Sequence, residues 1–173
     1  MARDSNAAAT EEQIVFRPIA LPRDAPLSVH FSEDAFVCSF GTAERFWAEA
    51  GRDGRKWIAR LGEKLEQDKR IAVNAWLGGN VVGQIVLGES ETQANAGHVN
   101  LYYLIPRCRG RGLAQQLDAY ACAILRERGY SIATLNVSPY NIAAVRFYLR
   151  CGWRQLGPRV DAPYVDTMER TLR

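Results

Sequence analysis

Hydrophobic and polar positions in the second half of the chain switch between strand spacing and helix spacing. An apolar strand pattern covers residues 99–105, and after a turn the apolar positions of 113–129 recur every three to four residues. Residues 130–137 are apolar and β-branched and predict a strand, 141–151 predict a second helix, and a pair of strands begins at Trp153. This order predicts an α/β arrangement in which the first two of these strands lie parallel.

The first half of the chain contains a short strand pattern and a hairpin pattern. The short strand is predicted at 14–18. Two apolar runs at 71–76 and 81–87 are separated by a Gly-Gly-Asn sequence, which predicts a tight turn between antiparallel strands. The polar residues 89–97 are expected to form a loop before the strand that begins near His98.

Two helical patterns lie within residues 42–70 and are separated by a Gly-Arg-Asp-Gly sequence at 51–54. The second pattern is amphipathic, with apolar positions at Trp57, Ile58, Leu61 and Leu65. No element is predicted for the Phe-rich stretch at 31–40.

The composition is that of one domain of ordinary size. The chain has 173 residues, and residues 13–173 are expected to form a single domain with a sizeable core. The polar, alanine-rich residues 1–12 are expected to be mobile. The net charge of +3 is modest, and three of the arginines that produce it lie between 107 and 111, so nucleic-acid binding is not expected.

Cysteine and histidine are too few and too scattered to predict a disulfide framework or a metal site. The four cysteines have no paired spacing, and there is no apolar targeting segment or transmembrane run. A reduced, cytoplasmic location without membrane contact is therefore expected. Only His30 and His98 offer an imidazole, and they belong to no Cys/His cluster, so no metal is predicted.

The turn that follows the strand at 99–105 carries the most specific chemistry. Gly110 and Gly112 can adopt φ values that residues with a Cβ avoid, so N–H groups of the turn can converge on one anion at a helix N-terminus. Three arginines of the turn add positive charge: Arg107, Arg109 and Arg111. The turn therefore predicts a site for a small molecule that carries more than one phosphate.

The residues of this turn exclude two common phosphate loops. No Gly-Lys-Ser/Thr sequence follows, so the turn is not a Walker A loop, and Gln115 stands where the dinucleotide motif needs its third glycine. A solvated basic turn and an RNA-contacting segment remain as alternatives from the residues alone. Both usually occur in low-complexity surroundings, whereas this turn lies between two periodic elements.

Two motifs of the chain occur together. The turn has the pattern R-x-x-G-x-A from Arg109 to Ala114, and the second helix has the pattern N-x-x-A-x-x-x-Y at Asn141, Ala144 and Tyr148, followed by Cys-Gly-Trp. Together they resemble the coenzyme A motifs of the GNAT superfamily of N-acetyltransferases. The helix positions lie along one side, where Ala144 leaves room for a slim chain such as pantetheine. Taken singly, Asn141 also suits a helix N-cap, and Tyr148 also suits a core position.

The resemblance implies a GNAT-like α/β (α+β) fold over residues 14–172, although only 99–153 carry specific motifs. In that fold a mixed sheet of six or seven strands is flanked by helices, 14–18 is the first strand, and the coenzyme lies where two neighbouring parallel strands separate. The residues implied to bind acetyl-CoA are Tyr102, Tyr103, Leu104, Arg109, Gly110, Arg111, Gly112, Leu113, Ala114, Asn141 and Tyr148.

The implied chemistry is acyl transfer from a thioester to an amine. Backbone N–H groups near Leu104 are expected to stabilise the developing oxyanion. Tyr148 is predicted to be the general acid for the departing thiolate, because the ordinary pKa of a phenol, about 10, is close to that of a thiol, about 8.5.

The base that accepts the proton of the amine is less well defined. Asn136 occupies the place where ribosomal-protein alanine acetyltransferases, a branch of the family, carry a Glu. An amide cannot act as a base, so Asn136 is expected only to position polar groups. His98 is a candidate base, and together with Asn100 it is expected to share a strand face with Tyr102. The alternative for His98 is a surface histidine at the start of a strand.

The acceptor pocket is expected to include the Phe-rich stretch, the loop at 157–164 and the helices around three aromatic residues, Phe46, Trp47 and Trp57. These rings favour a partly apolar acceptor or simply pack a core. Glu33 and Asp34 are a candidate pair for a cationic acceptor, although such a pair more often solvates a loop.

The function implied is acetyl-CoA-dependent N-acetylation of a primary amine of a small molecule, by a cytoplasmic monomer or homodimer. A peptide or protein amine is the second candidate acceptor. A non-catalytic acyl-CoA-binding regulatory module is the alternative from another class, but such a module has no use for a proton donor at Tyr148. An RNA-binding module is the third alternative.

Overall fold

A seven-stranded mixed sheet forms the centre of the protein in a computed structural model that describes residues 12–173. The strands are β1 (Val15–Pro18), β2 (Ala72–Leu77), β3 (Asn80–Glu89), β4 (Ala96–Leu104), β5 (Ile132–Val137), β6 (Arg154–Arg159) and β7 (Ala162–Thr171). Their order in the sheet is β1-β2-β3-β4-β5-β7-β6, and only β4 and β5 are parallel neighbours. The mixed sheet confirms the predicted fold class. The predicted mobile segment at 1–12 lies, except for Glu12, outside the described residues.

Helices cover both faces of the sheet. They are α1 (Ala25–Phe40), α2 (Glu44–Ala50), α3 (Arg55–Gln67), α4 (Leu113–Glu127) and α5 (Ile142–Arg150). One buried core contains residues of α4 and the sheet, with α5 packed against it, and a second core contains residues of α1, α3 and the sheet. Consecutive strand residues alternate between the cores: Ile85 and Leu87 belong to the first, and Val86 belongs to the second.

Most elements predicted from spacing are present, with shifted ends. The hairpin is formed by β2 and β3, and the two patterns within 42–70 are α2 and α3. Strand β4 begins at Ala96, earlier than the predicted start near His98, so the polar loop is shorter than expected. Strand β5 begins at Ile132 instead of Tyr130.

Helix α1 was not predicted, although it is the longest helix of the described chain at 16 residues. Its apolar residues point in more than one direction: Phe31 is buried in the core against the sheet, while Phe36 and Phe40 line a cavity. A helix with apolar residues on two sides lacks the single apolar stripe from which an amphipathic helix is predicted in a sequence. A proline in its first turn, Pro26, and Gly41 after its last residue mark its two ends.

The parallel strands β4 and β5 pair only over a short length, which leaves a slot between them. Pairing extends from Ala96 with Ile132 to Val99 with Leu135. On its other edge β4 has a bulge, because Val99 and Leu101 oppose consecutive residues of β3 and Asn100 is inserted between them. A bulge bends and twists its strand, so β4 turns away from β5 just where their pairing ends.

The bulge also reverses which residues of β4 face each core. Val99 belongs to the core under α4, and so do the packing partners Tyr102 and Leu104, whereas Leu101 and Tyr103 belong to the core under α1 and α3. His98, adjacent to Val99, therefore faces the α1–α3 side. The prediction that His98 and Tyr102 share a face was wrong, because the inserted residue shifts the alternation by one position.

Among residues 12–173, no helix is both long and apolar enough to cross a lipid bilayer. The same residues contain no group of three or more His, Cys, Asp or Glu side chains that could hold a metal ion.

Candidate functional site

A cavity of about 890 Å³ runs from the N-terminus of α4, past the slot between β4 and β5, to helices α1 to α3. Most of the residues predicted for the site line it: His98, Tyr102, Tyr103, Leu104, Arg109, Gly110, Gly112, Ala114, Asn136, Asn141 and Tyr148. Two predicted residues do not. Leu113 is buried in the core under α4, and the Arg111 guanidinium lies against Glu12 and the carbonyl oxygen of Arg107.

The turn before α4 leaves a group of backbone N–H groups without helix partners. Gly110 and Gly112 have φ of +73° and +80°, and no other heavy atom lies within 4 Å of the position where a Cβ would stand. Helix α4 starts at Leu113, and no side chain caps it. The first N–H groups of a helix have no carbonyl within the helix to bind, and the helix dipole adds positive potential there. The space and the N–H groups together fit a phosphate or diphosphate.

The arginines of the turn are held by the protein itself. The Nε atom of Arg109 donates to the carbonyl oxygen of Leu104 at 2.8 Å, and its guanidinium also lies 3.5 Å from the carboxylate of Asp34. The backbone N–H of Arg109 donates to Pro106 at 3.1 Å. Arg109 and Arg111 therefore supply positive charge beside the turn, while the direct N–H donors belong to the residues that follow Arg109.

Two backbone N–H groups of β4 face the slot. The N–H of Ile105 donates to the carbonyl oxygen of Val82 on β3 at 2.9 Å. Along an antiparallel strand, every second residue makes hydrogen bonds to the same neighbouring strand. The N–H groups of Leu104 and Tyr102 therefore point away from β3, toward the side on which β5 has already ended. Two donors in a slot partly shielded from water are the geometry needed to stabilise a developing oxyanion.

Tyr148 lies on the α4–α5 side of the slot. Asn141 caps α5 through its Oδ1 atom, which accepts from the N–H of Ala144 at 3.2 Å, so its amide nitrogen remains a possible donor to a ligand. The Tyr148 ring lies 6.1 Å from Tyr102 and 6.0 Å from Trp153 between ring centroids. Burial, and secondarily the negative charge of Asp118, raise the pKa of Tyr148 well above its ordinary value.

This raised pKa changes the role expected of Tyr148. A phenol that stays protonated is a dependable hydrogen-bond donor, but it gives up its proton less readily than an exposed phenol. The raised pKa widens the difference between this phenol and a thiol, and the general-acid role of Tyr148 stays a prediction. Tyr148 is better suited to stabilise a thiolate by donating a hydrogen bond to it.

Asp118 on α4 is a functional candidate that the sequence analysis missed. Its carboxylate is 4% exposed, accepts from Trp153 Nε1 at 2.8 Å and from the Tyr102 hydroxyl at 3.5 Å, and forms an ion pair with Arg170. It thus connects α4, β4 and β7 beneath the ring of Tyr148. The signal in the sequence is a charged residue next to Leu117 on the otherwise apolar side of the helix.

His98 lies on the opposite, α1–α3 side of the sheet, where its imidazole is held by a chain of hydrogen bonds. The Thr134 hydroxyl donates to the carbonyl oxygen of Gly97 at 3.1 Å, and its oxygen lies 2.8 Å from Nδ1 of His98. Since the hydroxyl has a single proton, which Gly97 accepts, Nδ1 must be the donor to Thr134. Nε2 therefore carries the lone pair.

Burial lowers the pKa of His98 to about 4, with a further contribution from the positive charges of Arg159 and Lys64. The imidazole is therefore neutral at physiological pH and has a free lone pair, although the lowered pKa makes it a weaker base than an exposed imidazole. By strand alternation Asn136 lies on the same face as Thr134, and its Oδ1 accepts from the Thr167 hydroxyl at 3.3 Å. His98 and Asn136 thus line the cavity on one side of the slot, and Tyr148 lines it on the other.

The carboxylates of Glu33 and Asp34 have internal partners. Glu33 accepts from Trp47 Nε1 at 3.1 Å, and Asp34 accepts from the Tyr103 hydroxyl at 2.7 Å. Neither carboxylate is on the cavity wall. The acidic residues on the wall, which the sequence analysis missed, are Glu49, Glu89 and Glu91.

The far end of the cavity has aromatic walls from segments expected to surround an acceptor. The rings on the wall are those of Phe36, Phe40, Phe46, Trp57 and Tyr164. Trp47, which was expected beside them, is instead bonded to Glu33. The cavity therefore joins a glycine-rich turn at a helix N-terminus, a slot with hydrogen-bond donors and a chamber with aromatic walls.

A family model described as the acetyltransferase (GNAT) family matches residues 32–153 of the chain, which include both sequence motifs and the slot. None of the curated proteins compared with the chain is significantly similar to it in sequence.

Solved structures share the fold at low sequence identity. The PaiA N-acetyltransferase from Thermoplasma acidophilum, in complex with coenzyme A, has a TM-score of 0.74 at 16% identity, over 92% of this chain and 99% of that one. The spermidine N-acetyltransferase from Vibrio cholerae, in complex with coenzyme A and spermine, has a TM-score of 0.69 at 15% identity, over 92% and 96% of the two chains. Ard1 from Thermoplasma volcanium has a TM-score of 0.67 at 19% identity, over 92% and 98%.

Proposed function

The chain belongs to the acetyltransferase (GNAT) family, and we propose that it transfers the acetyl group of acetyl-CoA to the primary amine of a small molecule. Membership of this family makes the chain an acetyl-CoA-dependent acetyltransferase; the nature of the acceptor is the proposed part. The observation that carries the proposal is the continuous cavity, which connects the uncapped N-terminus of α4 with the aromatic-walled chamber through the slot.

The residues present fit the coenzyme. The uncapped N–H groups at the start of α4 suit its diphosphate, and the open space at Gly110 and Gly112 lets the phosphate oxygens approach the backbone. The small side chain of Ala144, between Asn141 and Tyr148 on the cavity wall, leaves room for the pantetheine arm. When bound, acetyl-CoA supplies an activated thioester carbonyl and a thiolate leaving group.

The chain's own residues have separate roles on the two sides of the slot. The N–H groups of Tyr102 and Leu104 donate to the oxygen on which negative charge develops. Tyr148 donates a hydrogen bond to the departing sulfur. His98 accepts a proton from the amine through Nε2, directly or through water, and Asn136 orients polar groups beside it.

In the balanced reaction, the amine nitrogen gains a bond to the acetyl carbon as the carbon–sulfur bond breaks. One proton passes from the nitrogen to His98, and the sulfur leaves as a thiolate, which accepts the hydrogen bond of Tyr148 and then takes a proton from water. Because His98 and Tyr148 lie on opposite sides of the slot, the amine enters from the α1–α3 side while the thiolate leaves on the α4–α5 side.

The proposal is tested by incubating the full chain with acetyl-CoA and a panel of primary amines and measuring release of free thiol. We expect at least one small amine to support turnover. Turnover of a peptide N-terminus alone would favour the peptide acceptor instead. Binding of acetyl-CoA without turnover of any amine would favour a regulatory acyl-CoA-binding module.

A cytoplasmic location is also proposed. Its support is that all four cysteines, Cys38, Cys108, Cys122 and Cys151, are free thiols, as is usual in a reducing compartment.

Substitution of Gly112 by Ala is expected to weaken acetyl-CoA binding about tenfold, because the free turn relaxes to relieve the roughly 1–2 kcal/mol that a Cβ costs at φ +80°, which moves its N–H groups out of the binding arrangement. The dissociation constant is measured by calorimetry. Gly129→Ala is the matched control, since Gly129 also has positive φ and open surroundings but lies at the other end of α4. Equal affinity for acetyl-CoA in the two variants would contradict the predicted role of the turn.

Substitution of Thr134 by Val is expected to lower kcat/KM about tenfold, because it removes the partner of His98 Nδ1 and leaves a buried N–H unpaired. The side chain is nearly isosteric, so packing is conserved. Thr134→Ser keeps the hydroxyl and is expected to restore activity. Nitrogen NMR of the imidazole is expected to report protonated Nδ1 in the wild type and a mixture of tautomers in Thr134→Val. Unaltered activity and tautomer in that variant would exclude Thr134 as a positioning residue.

A further inference from the structure

Helix α1 presents a single stripe of side chains to the cavity. Five of the six α1 residues on the cavity wall follow the i, i+3, i+4, i+7, i+8 spacing of one helix side: Ser32, Ala35, Phe36, Ser39 and Phe40. The sixth, Cys38, lies at the edge of this stripe. Three of the five are small, and the two phenylalanines rise beside them. A stripe of this kind is a shallow surface with aromatic rings beside it, and a flat group can lie on this surface.

The phenylalanines of α1 continue into a row of aromatic rings. Phe46 of α2 lies 5.7 Å from Phe36, Phe36 lies 5.7 Å from Phe40, and Phe40 lies 5.8 Å from Tyr164 of β7, all between ring centroids. All four rings line the cavity. Exposure rises along the row, from 3% at Phe46 to 39% at Tyr164, so the row leads from the core to solvent.

Charge in this chamber does not favour a polycation. Its three carboxylates, on Glu49, Glu89 and Glu91, are opposed by two guanidiniums, on Arg60 and Arg159. Glu91 lies 3.8 Å from Arg159, and Glu89 accepts from the Tyr130 hydroxyl at 2.7 Å. The positive and negative charges on the chamber wall therefore nearly balance, and the main contact that the chamber offers is apolar contact with rings.

We propose that the acceptor is a primary amine joined by a short linker to an aromatic ring, and that this ring lies on the α1 stripe against the aromatic row. The inference rests on the proposed function and specifies its acceptor. Three rings of the row belong to α1 and α2 and line the same cavity as His98, so an amine whose ring is held there approaches the slot from the side of the base.

The test compares kcat/KM of the full chain for three amines: 2-phenylethylamine, n-butylamine and spermidine. We expect 2-phenylethylamine to exceed n-butylamine by about tenfold, because a ring adds buried apolar area and ring-to-ring contact. Spermidine is expected to be the poorest of the three. Equal values for the three amines, or a preference for spermidine, would overturn the inference while leaving acetyl transfer established. Absence of turnover with any amine would overturn the proposed function as well.

Variants of α1 test whether the α1 stripe produces the preference for an aryl amine. Phe36→Ala is expected to lower kcat/KM for 2-phenylethylamine about tenfold and for n-butylamine less than threefold, since only the aryl amine uses the ring. Val37→Ala is the control, because Val37 belongs to the same helix, is 42% exposed and lies off the cavity wall. An unchanged acetyl-CoA dissociation constant shows that each variant is folded. A parallel loss for both amines, or an equal loss in Val37→Ala, would refute the role of the stripe.

Discussion

Replacing Tyr148 by Phe is expected to lower kcat roughly 10- to 100-fold, because a hydrogen bond to a charged group contributes about 1.5–3 kcal/mol. The ring is retained, so its contacts with Tyr102 and Trp153 stay in place. Acetyl-CoA affinity is therefore expected to change little. The measurement is steady-state thiol release under saturating substrates, together with calorimetry of acetyl-CoA binding.

The size of this loss separates two roles of the phenol. Complete proton transfer by a general acid contributes up to about 10⁴-fold, so a loss well beyond 100-fold would indicate transfer instead of hydrogen bonding. Tyr120→Phe is the control, because the Tyr120 hydroxyl donates to the carbonyl oxygen of Arg70 and lies off the cavity wall. Unchanged kcat in Tyr148→Phe would remove Tyr148 from the mechanism.

Replacing Asp118 by Ala is expected to lower the free energy of unfolding by about 3 kcal/mol, the lower end of the cost of removing one partner of a buried ion pair, because Asp118 is buried while Arg170 is partly exposed. The variant leaves Arg170 without its carboxylate and Trp153 Nε1 without its acceptor, in a part of the core that joins α4 to β7. Urea unfolding followed by far-UV circular dichroism measures the change.

Two further variants define the origin of this cost. Asp118→Asn keeps an acceptor for Trp153 but removes the charge that balances Arg170, so we expect it to be intermediate between wild type and Asp118→Ala. Glu127→Ala removes an exposed pair with Arg70, and we expect no measurable change in stability. A similarly small effect of Asp118→Ala would show that the buried pair is not a stabilising element.

Local signals accounted for most of the secondary structure. The hairpin, the turn before α4 and helices α3, α4 and α5 were predicted because spacing and Gly, Pro or Asn punctuation act within a few residues. Helix α1 escaped because its two apolar sides serve different surroundings, the core at Phe31 and the cavity at Phe36. The single residue inserted at Asn100 was also invisible, since a bulge is defined by register against a partner strand.

For the same reason, some residues of the candidate site could be predicted from the sequence and others could not. The turn at 109–114 and the stripe of Asn141 and Tyr148 are short contiguous motifs, and the structure places them on one cavity. The partners that define how those groups behave come from distant parts of the chain. Asp118 adds to the effect of burial in raising the pKa of Tyr148, and the Thr134 hydroxyl orients the imidazole of His98. No local sequence pattern connects the two members of either pair.

By itself the sequence determined the fold class, the glycine-rich turn before α4 and the helix stripe that leads to Tyr148, because each depends on backbone preferences and periodicity within one short segment. Only the tertiary structure decided that His98 and Tyr148 lie on opposite sides of the slot, that the guanidinium of Arg109 is held by Leu104, and that rings from α1, α2 and β7 form one wall. Those facts depend on strand register, on a bulge and on contacts between segments far apart in the chain, and no local pattern encodes them.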